Sequence, residues 1–259
     1  MDGSANISQL FLENSFYECH KWSHYPRVYQ KHLARFLGKN PVILEIGVKS
    51  GGSLNIWRKF FGKSATIIGI DIDKKCESIR QDGFEIYVGD QSDKAFLAGV
   101  LKKHPEIDIL IDDGSHAAKD IISSFEYLYP RIKKDGVYII EDVSSAMLAD
   151  AESGDINKQS LGDYFKDLVG QINLGFVEEK FLADKDNVAS NFGKAVGKMT
   201  SERMSSFSRP TEITAATSDI SFYSNMIVLE KYPQPIRASL KSAGMVAGRL
   251  QAYRTYLLE

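Results

Sequence analysis

Short runs of Val, Ile and Leu recur through the first half of the chain, at 42–47, 66–71, 84–88, 107–111 and 136–141. Their apolar positions are nearly continuous rather than alternating, the pattern of parallel strands buried on both faces. Between them, Ser53 to Phe61, Lys74 to Asp82, Ser92 to Lys103 and Ala117 to Lys134 carry helical patterns long enough for right-handed crossovers. Lys134-Asp135-Gly136 reads as a helix-to-strand turn. The alternation predicts an α/β sandwich built on a parallel sheet.

On either side the pattern changes. Residues 1–40 read as a helical N-terminal segment with an aromatic, basic cluster, His20-Lys21-Trp22-Ser23-His24-Tyr25. Residues 41–143 form the α/β core. Residues 144–219 are polar, with Gly, Ser, Asn and Asp throughout, and read as a cap or insertion over the strand ends. They hold one helix near 160–173 and a strand near 174–182. Residues 220–231 read as a late sheet strand, and 236–259 as a C-terminal helix. All four segments are expected to form one domain, as suits 259 residues.

Composition adds bounds. Hydrophobic residues make up 43% and charged residues 25%, ordinary globular values. A net charge of −2 gives no sign of a polyanionic partner, so no nucleic acid is expected. Cys19 and Cys76 lie far apart without metal spacing, which fits a reducing compartment. The start carries no basic-then-apolar leader, and no stretch approaches roughly eighteen apolar residues. The expectation is a soluble, cytoplasmic protein without a membrane partner. The N-terminal aromatic segment and the C-terminal helix are candidate contacts of a homo-oligomer.

The chemistry gathers where each strand run ends: Glu45 to Ser53, Ile68 to Asp71, Gly89-Asp90-Gln91, Asp112 to His116 and Glu141-Asp142. In an open parallel sheet, ligands sit outside these carboxyl ends. The first loop runs Gly-x-x-x-Gly-Gly, whereas a pyrophosphate-binding dehydrogenase shows Gly-x-Gly-x-x-Gly. Asp113 and His116 leave the fourth strand and Glu141 and Asp142 the fifth, on neighbours about 4.8 Å apart. Three carboxylates meeting there repel one another unless a hard divalent cation such as Mg²⁺ joins them. Plainer readings are that Asp71, Gln91 and Ser92 cap helices, that Asp112-Asp113-Gly114-Ser115 is a turn, and that His116 bonds backbone. His20 and His24 are candidates for the acceptor pocket; His32 and His104 read as exposed and inert.

Over residues 40–145 and 220–231 the sequence resembles class I S-adenosylmethionine-dependent methyltransferases. That resemblance implies a doubly wound, Rossmann-like, seven-stranded sheet. It implies that Glu45, Gly47, Gly51, Gly52 and Ser53 line the methionine and ribose of the cofactor, and that Asp71 accepts from the ribose hydroxyls. Asp90 and Gln91 would flank the adenine, with Asp112 below the methyl. Asp113-Gly-Ser-His116 and Glu141-Asp142 further resemble elements of the metal-dependent macrolide sugar O-methyltransferases. That family would make Asp113, Glu141 and Asp142 the Mg²⁺ ligands and His116 the catalytic base, with a sugar hydroxyl as acceptor. Rival readings are a methyltransferase of another small polar acceptor without metal, a cephalosporin-hydroxylase-like enzyme, and a cofactor-binding module without catalysis. The site lacks the two-histidine-one-carboxylate pattern of Fe(II) enzymes.

Overall fold

A computed structural model describes residues 6–15, 17–153, 160–183 and 212–231. Seven strands form one sheet: β1 Val42–Ile46, β2 Thr66–Asp71, β3 Glu85–Val88, β4 Ile109–Asp112, β5 Val137–Glu141, β6 Thr217–Tyr223 and β7 Met226–Lys231. Their order is β3-β2-β1-β4-β5-β7-β6. The first five run parallel, and β7 pairs antiparallel with both β5 and β6. The order reverses between β1 and β4, so a crevice opens there beyond the strand ends.

Because side chains alternate across a strand, each strand feeds two cores. Ile43, Ile67, Ile109, Ile111 and Ile139 face one layer, made by α1 (Ile7–Leu12), α2 (Tyr25–Leu33) and α3 (Gly52–Phe61). Leu44, Ile68, Leu110, Tyr138 and Ile140 face the other, made by α4 (Lys94–Lys103), α5 (Ala118–Leu128), α6 (Val143–Ser153) and α7 (Leu161–Ala183). A last short helix, α8 (Glu212–Ala216), leads into β6.

The late strand expected at 220–231 is instead a hairpin. Asn225 adopts φ +62°, a left-handed conformation that Asn tolerates, and turns the chain between Tyr223 and Met226. The strand expected near 174–182 is helical: α7 runs through Gly175 to Ala183. Lys74–Asp82 is a 3₁₀ segment. α5 stops at Leu128 and gives way to a 3₁₀ turn over Tyr129–Arg131, where Pro130 lacks the N–H that would continue the helix. Of the expected cap, α6 and α7 are described in part, and Leu161, Phe165 and Leu168 of α7 pack into the α5 core rather than over the strand ends. The helix expected at 236–259 lies outside the described residues. No helix among the described residues is long and apolar enough to cross a membrane.

Candidate active site

The first loop is shaped by close approach. Gly47 has φ +91° and donates its N–H to the Ile70 carbonyl at 2.8 Å. A Cβ there would collide with the Asp113 carbonyl, so only glycine fits. Gly51, at φ +80°, opens α3, and Gly52 lies directly under the Glu18 carbonyl. Asp71 closes the loop: Oδ2 accepts from the Val48 and Lys49 N–H groups, each at 2.8 Å, and Oδ1 from Asp73 N–H. The cap of the following 3₁₀ segment is Asp73, not Asp71.

Two cavities of about 280 Å³ and 190 Å³ share Gly47, Asp71 and Gly114 as walls. Gly52, Ser53, Asp113, His116 and Asp142 line the larger, together with His20 and Lys21. Asp90 and Gln91 line the smaller. Asp90 accepts from the Ser92 N–H and hydroxyl, which hold its carboxyl below the usual range. Gln91 is buried and donates to Asp112 while accepting from the Ser115 N–H.

Two residues expected at the cofactor are enclosed instead. Asp112 is 1% exposed and accepts from Gln91, Ser124 and Tyr138. It ends β4 with the parity of Leu110, so it points into the α5 core rather than the crevice. Burial raises its pKa against those hydrogen bonds. Glu45 is likewise buried, accepting from the Ser53 hydroxyl at 2.6 Å and from Trp57 Nε1.

Glu45, Asp113 and Glu141 share the opposite parity and come from three adjacent strands, β1, β4 and β5. Glu45 is level with Ile111, so Asp113 lies one pleat further out, near Glu141. Lys21 sits among them, with Nζ 2.6 Å from Asp113 Oδ2, 2.7 Å from Glu141 Oε2 and 3.9 Å from Glu45 Oε1. Burial disfavours its charge, but Glu141, Asp113 and Glu45 together push its pKa well above the ordinary lysine value. Burial also pushes Glu141 up, with Lys21 pulling the other way. The Tyr29 hydroxyl donates to Glu141 Oε1 at 2.6 Å, leaving neither Glu141 oxygen without a partner.

Asp142 and His116 form the outer part. Both adopt left-handed backbone, at φ +51° and +54°, a conformation uncommon outside glycine that Asp and His enter more readily than most residues and that clusters at working sites. Asp142 Oδ1 accepts from Trp22 Nε1, Tyr25 Oη and Asn225 Nδ2. Its Oδ2 faces His116 Nε2 at 4.0 Å, and Asp113 Oδ1 faces the same nitrogen at 3.8 Å. His116 Nδ1 is buried without a hydrogen-bond partner.

Among the described residues, Asp113, His116 and Asp142 each offer a ligand atom within 4.8 Å of one another. Hard carboxylate oxygens suit a divalent cation, and an imidazole left uncoordinated beside them can take a proton from a group bound there. The expected third carboxylate, Glu141, faces Lys21 and Tyr29 in this conformation. It joins a cation only if one of them lets go.

Sequence reasoning missed Lys21, Trp22, Tyr25, Tyr29 and Asn225 as parts of the site. No local signal marked Lys21, because only the pairing of β1, β4 and β5 brings its acidic partners to one face. His24 pairs with the Ser224 carbonyl. His32 is buried rather than exposed, between Glu230 at 3.0 Å and the Tyr223 hydroxyl at 2.7 Å. His104 pairs with Tyr87 and Glu85.

Residues 44–143 match the family model described as a methyltransferase domain. The rhamnosyl tetracenomycin-C 2'-O-methyltransferase of Streptomyces olivaceus is 34% identical over 129 residues, 47% of this chain and 34% of that protein. Demethylmacrocin O-methyltransferase of Streptomyces fradiae is 33% identical over 145 residues, covering 52% and 36%. Mycinamicin VI 2''-O-methyltransferase of Micromonospora griseorubida is 34% identical over 125 residues, covering 46% and 31%. The matched stretch is thus about a third of the length of these curated relatives. The solved MycE methyltransferase of mycinamycin biosynthesis, in complex with Mg, SAH and mycinamycin VI, shares the fold at TM-score 0.68 and 22% identity. That superposition covers 97% of this chain and 60% of the other. Residues 44–143 thus match a methyltransferase domain, the chain shares the fold of a solved methyltransferase, and over about half its length it is similar to sugar O-methyltransferases of macrolide biosynthesis.

Proposed function

We propose that the protein is an S-adenosylmethionine-dependent O-methyltransferase that acts, with a divalent cation, on a hydroxyl of a sugar. The observation that carries this reading is the meeting of Asp113 Oδ1, Asp142 Oδ2 and His116 Nε2 at the mouth of the glycine-loop crevice. The unpartnered His116 Nδ1 supports a site that is completed by a ligand. The sugar methyltransferases among the relatives support the acceptor class.

In this reading Gly47, Gly52 and Gly114 let the crevice walls pack closely around the methyl donor, Asp71 ties the glycine loop to the end of β2, and Gln91 ties the loop after β3 to the loop after β4. Asp113 and Asp142 would hold the divalent cation. When bound, such a cation lowers the pKa of a sugar hydroxyl and fixes its oxygen. His116 Nε2 takes the hydroxyl proton as that oxygen attacks the sulfonium methyl, a role that supplies roughly 10²–10⁴-fold. The new bond is carbon to oxygen, the sulfur keeps the electron pair of the old one, and no enzyme-bound intermediate is required. The acceptor is a sugar that is nucleotide-linked, part of a surface glycan or attached to a natural product.

The test is methyl transfer from labelled S-adenosylmethionine to a panel of nucleotide-sugars and rhamnosyl glycosides, with Mg²⁺, with EDTA, and with Mg²⁺ restored. Transfer to a sugar that EDTA abolishes and Mg²⁺ restores is expected. Undiminished transfer in EDTA removes the metal, and transfer only to an acceptor without a sugar removes the substrate class.

A further inference from the structure

The β6–β7 hairpin brings its tip to the end of β5, because Met226 pairs with Glu141. Asn225 therefore stands where the chain leaves β5 and enters α6, and it bonds to three consecutive residues there. Its side-chain amide donates to Asp142 Oδ1 at 2.8 Å, and its side-chain carbonyl accepts from the Ser144 N–H at 2.8 Å. Its backbone carbonyl accepts from the Val143 N–H at 3.3 Å. The φ of +62° would be met as well by glycine, so the turn explains the backbone of Asn225 but not its amide.

The aromatic lead-in to α2 converges on the same carboxylate. Trp22 Nε1 donates to Asp142 Oδ1 at 3.0 Å. The Tyr25 hydroxyl donates to that oxygen at 2.6 Å and accepts from the Asp142 N–H at 3.1 Å. His24 Nε2 meets the Ser224 carbonyl at 2.6 Å, next to Asn225 in the turn. Three donors thus crowd onto Oδ1, one more than the roughly two acceptor sites that each carboxylate oxygen offers. Oδ2 is left facing His116 Nε2 at 4.0 Å.

Building on the metal-assisted reading above, we propose that Asn225 is a positioning residue of the cation site, which with Trp22 and Tyr25 clamps Asp142 Oδ1 so that Oδ2 alone reaches the ion. A carboxylate that can rotate divides its time between one-oxygen and two-oxygen geometries, and an arriving ion must stop that motion. The clamp stops it beforehand. A one-oxygen ligand also leaves the ion a position for an acceptor oxygen. Asn225 acts through Asp142, not on the acceptor, and the hairpin tip becomes part of the site although no residue of β6 or β7 offers a ligand atom to it. Partners that hold a ligand in this way are worth roughly 10- to 100-fold in metal affinity or activity.

Mn²⁺ serves as the probe, titrated into the full chain and followed by the electron paramagnetic resonance signal of the free ion. Asn225→Gly keeps the left-handed turn and deletes the amide. Tyr25→Phe removes a second donor to the same oxygen and leaves the turn untouched. Asn40→Gly is the matched control, since Asn40 is also left-handed, at φ +50°, but precedes β1 at the other end of the sheet. Asn225→Gly is expected to bind Mn²⁺ at least about tenfold more weakly and Tyr25→Phe about fivefold more weakly, with Asn40→Gly within about twofold. The thermal unfolding midpoint of Asn225→Gly should fall by no more than about 4 °C, because one lost helix cap costs little in a chain of this size. S-adenosylhomocysteine affinity should stay within a few-fold. Mn²⁺ affinity within about twofold of the unmodified chain, in an Asn225→Gly variant that binds S-adenosylhomocysteine normally, overturns the clamp. So does an Asn40→Gly variant weakened as much as Asn225→Gly. If Asn225→Gly does not fold, Tyr25→Phe decides, and undiminished Mn²⁺ affinity there has the same consequence. An unmodified chain that takes up no Mn²⁺ removes the metal-assisted reading itself, and the clamp with it.

Discussion

Asp112 and Asp113 are neighbours at the end of β4, yet their carboxylates do different work. Asp112 turns into the α5 core, where three neutral donors from Gln91, Ser124 and Tyr138 satisfy it. Asp113 turns the other way, shares one oxygen with a buried ammonium and presents the other to His116. Glu141 and Asp142 repeat the contrast on β5, one enclosed and one at the rim. In each pair the inner carboxylate is fully partnered, and the outer one keeps an oxygen facing the crevice. Acidity alone does not mark a functional carboxylate at a strand end; strand parity and an oxygen left without a donor do.

The largest effect expected from this contrast lies at His116, which among the described residues is the only imidazole facing both outer oxygens. His116→Ala should lower methyl transfer by roughly 10²–10⁴-fold. S-adenosylhomocysteine affinity should stay within a few-fold, because the His116 side chain lines the larger cavity and not the smaller one that holds Asp90 and Gln91. Single-turnover transfer with calorimetric binding separates the two. Near-full transfer would mean that the strained backbone at this position serves some purpose other than proton removal.

The next test exchanges the adjacent aspartates. Asp113→Asn should cost about a hundredfold or more in transfer, as loss of a ligand or its orientation does, with little loss of stability. Asp112→Asn turns an amide donor toward groups that already donate. It should destabilise the fold by about 1–3 kcal/mol, while transfer per folded molecule changes little. Thermal unfolding and transfer rates measured on both variants would give crossed results. If the two variants behave alike, the division into inner and outer carboxylates fails.

How much of this was legible in the sequence follows the same division. The five parallel strands could be read because buried strands carry unbroken Val and Ile runs, and local composition decides that. Gly47 and the Asp113-to-His116 and Glu141-Asp142 elements could be read because turn chemistry and strand ends are also local. The hairpin at Asn225 was hidden because Ser224-Asn225 contains no glycine, and one long apolar run fits a single strand equally well. Lys21 was hidden for a different reason. Its partners lie 92 and 120 residues away, and only the pairing of β1, β4 and β5 brings Glu45, Asp113 and Glu141 to one face. The N-terminal aromatic segment reads as a candidate subunit contact, and within it Tyr25 and Tyr29 are buried while Trp22 is half exposed. Their polar tips, Tyr29 on Glu141 and Tyr25 on Asp142, become meaningful only in three dimensions.

The smallest expected effect provides a control, from a charged group at the opposite end of the sheet. Glu230 pairs with Val137, the first residue of β5, and so lies far from the strand ends that form the crevice. Its carboxylate accepts from His32 and lies 3.6 Å from Arg35. Burial works against its charge, but these partners outweigh it and leave the pKa below the ordinary glutamate value. A folded-state pKa that is lowered means stability present above the unfolded value and lost as pH falls through the folded one. Glu230→Gln should therefore cost no more than about 1 kcal/mol at neutral pH, given partial solvent screening. It should also flatten the fall in stability below about pH 4.5. Methyl transfer at neutral pH should be unchanged. Urea unfolding at a series of pH values checks the first two points. A loss of transfer would show that charge anywhere on β7 reaches the crevice, perturbing Asp142 through the Asn225 turn, and the separation between the two ends of the sheet would have to be abandoned.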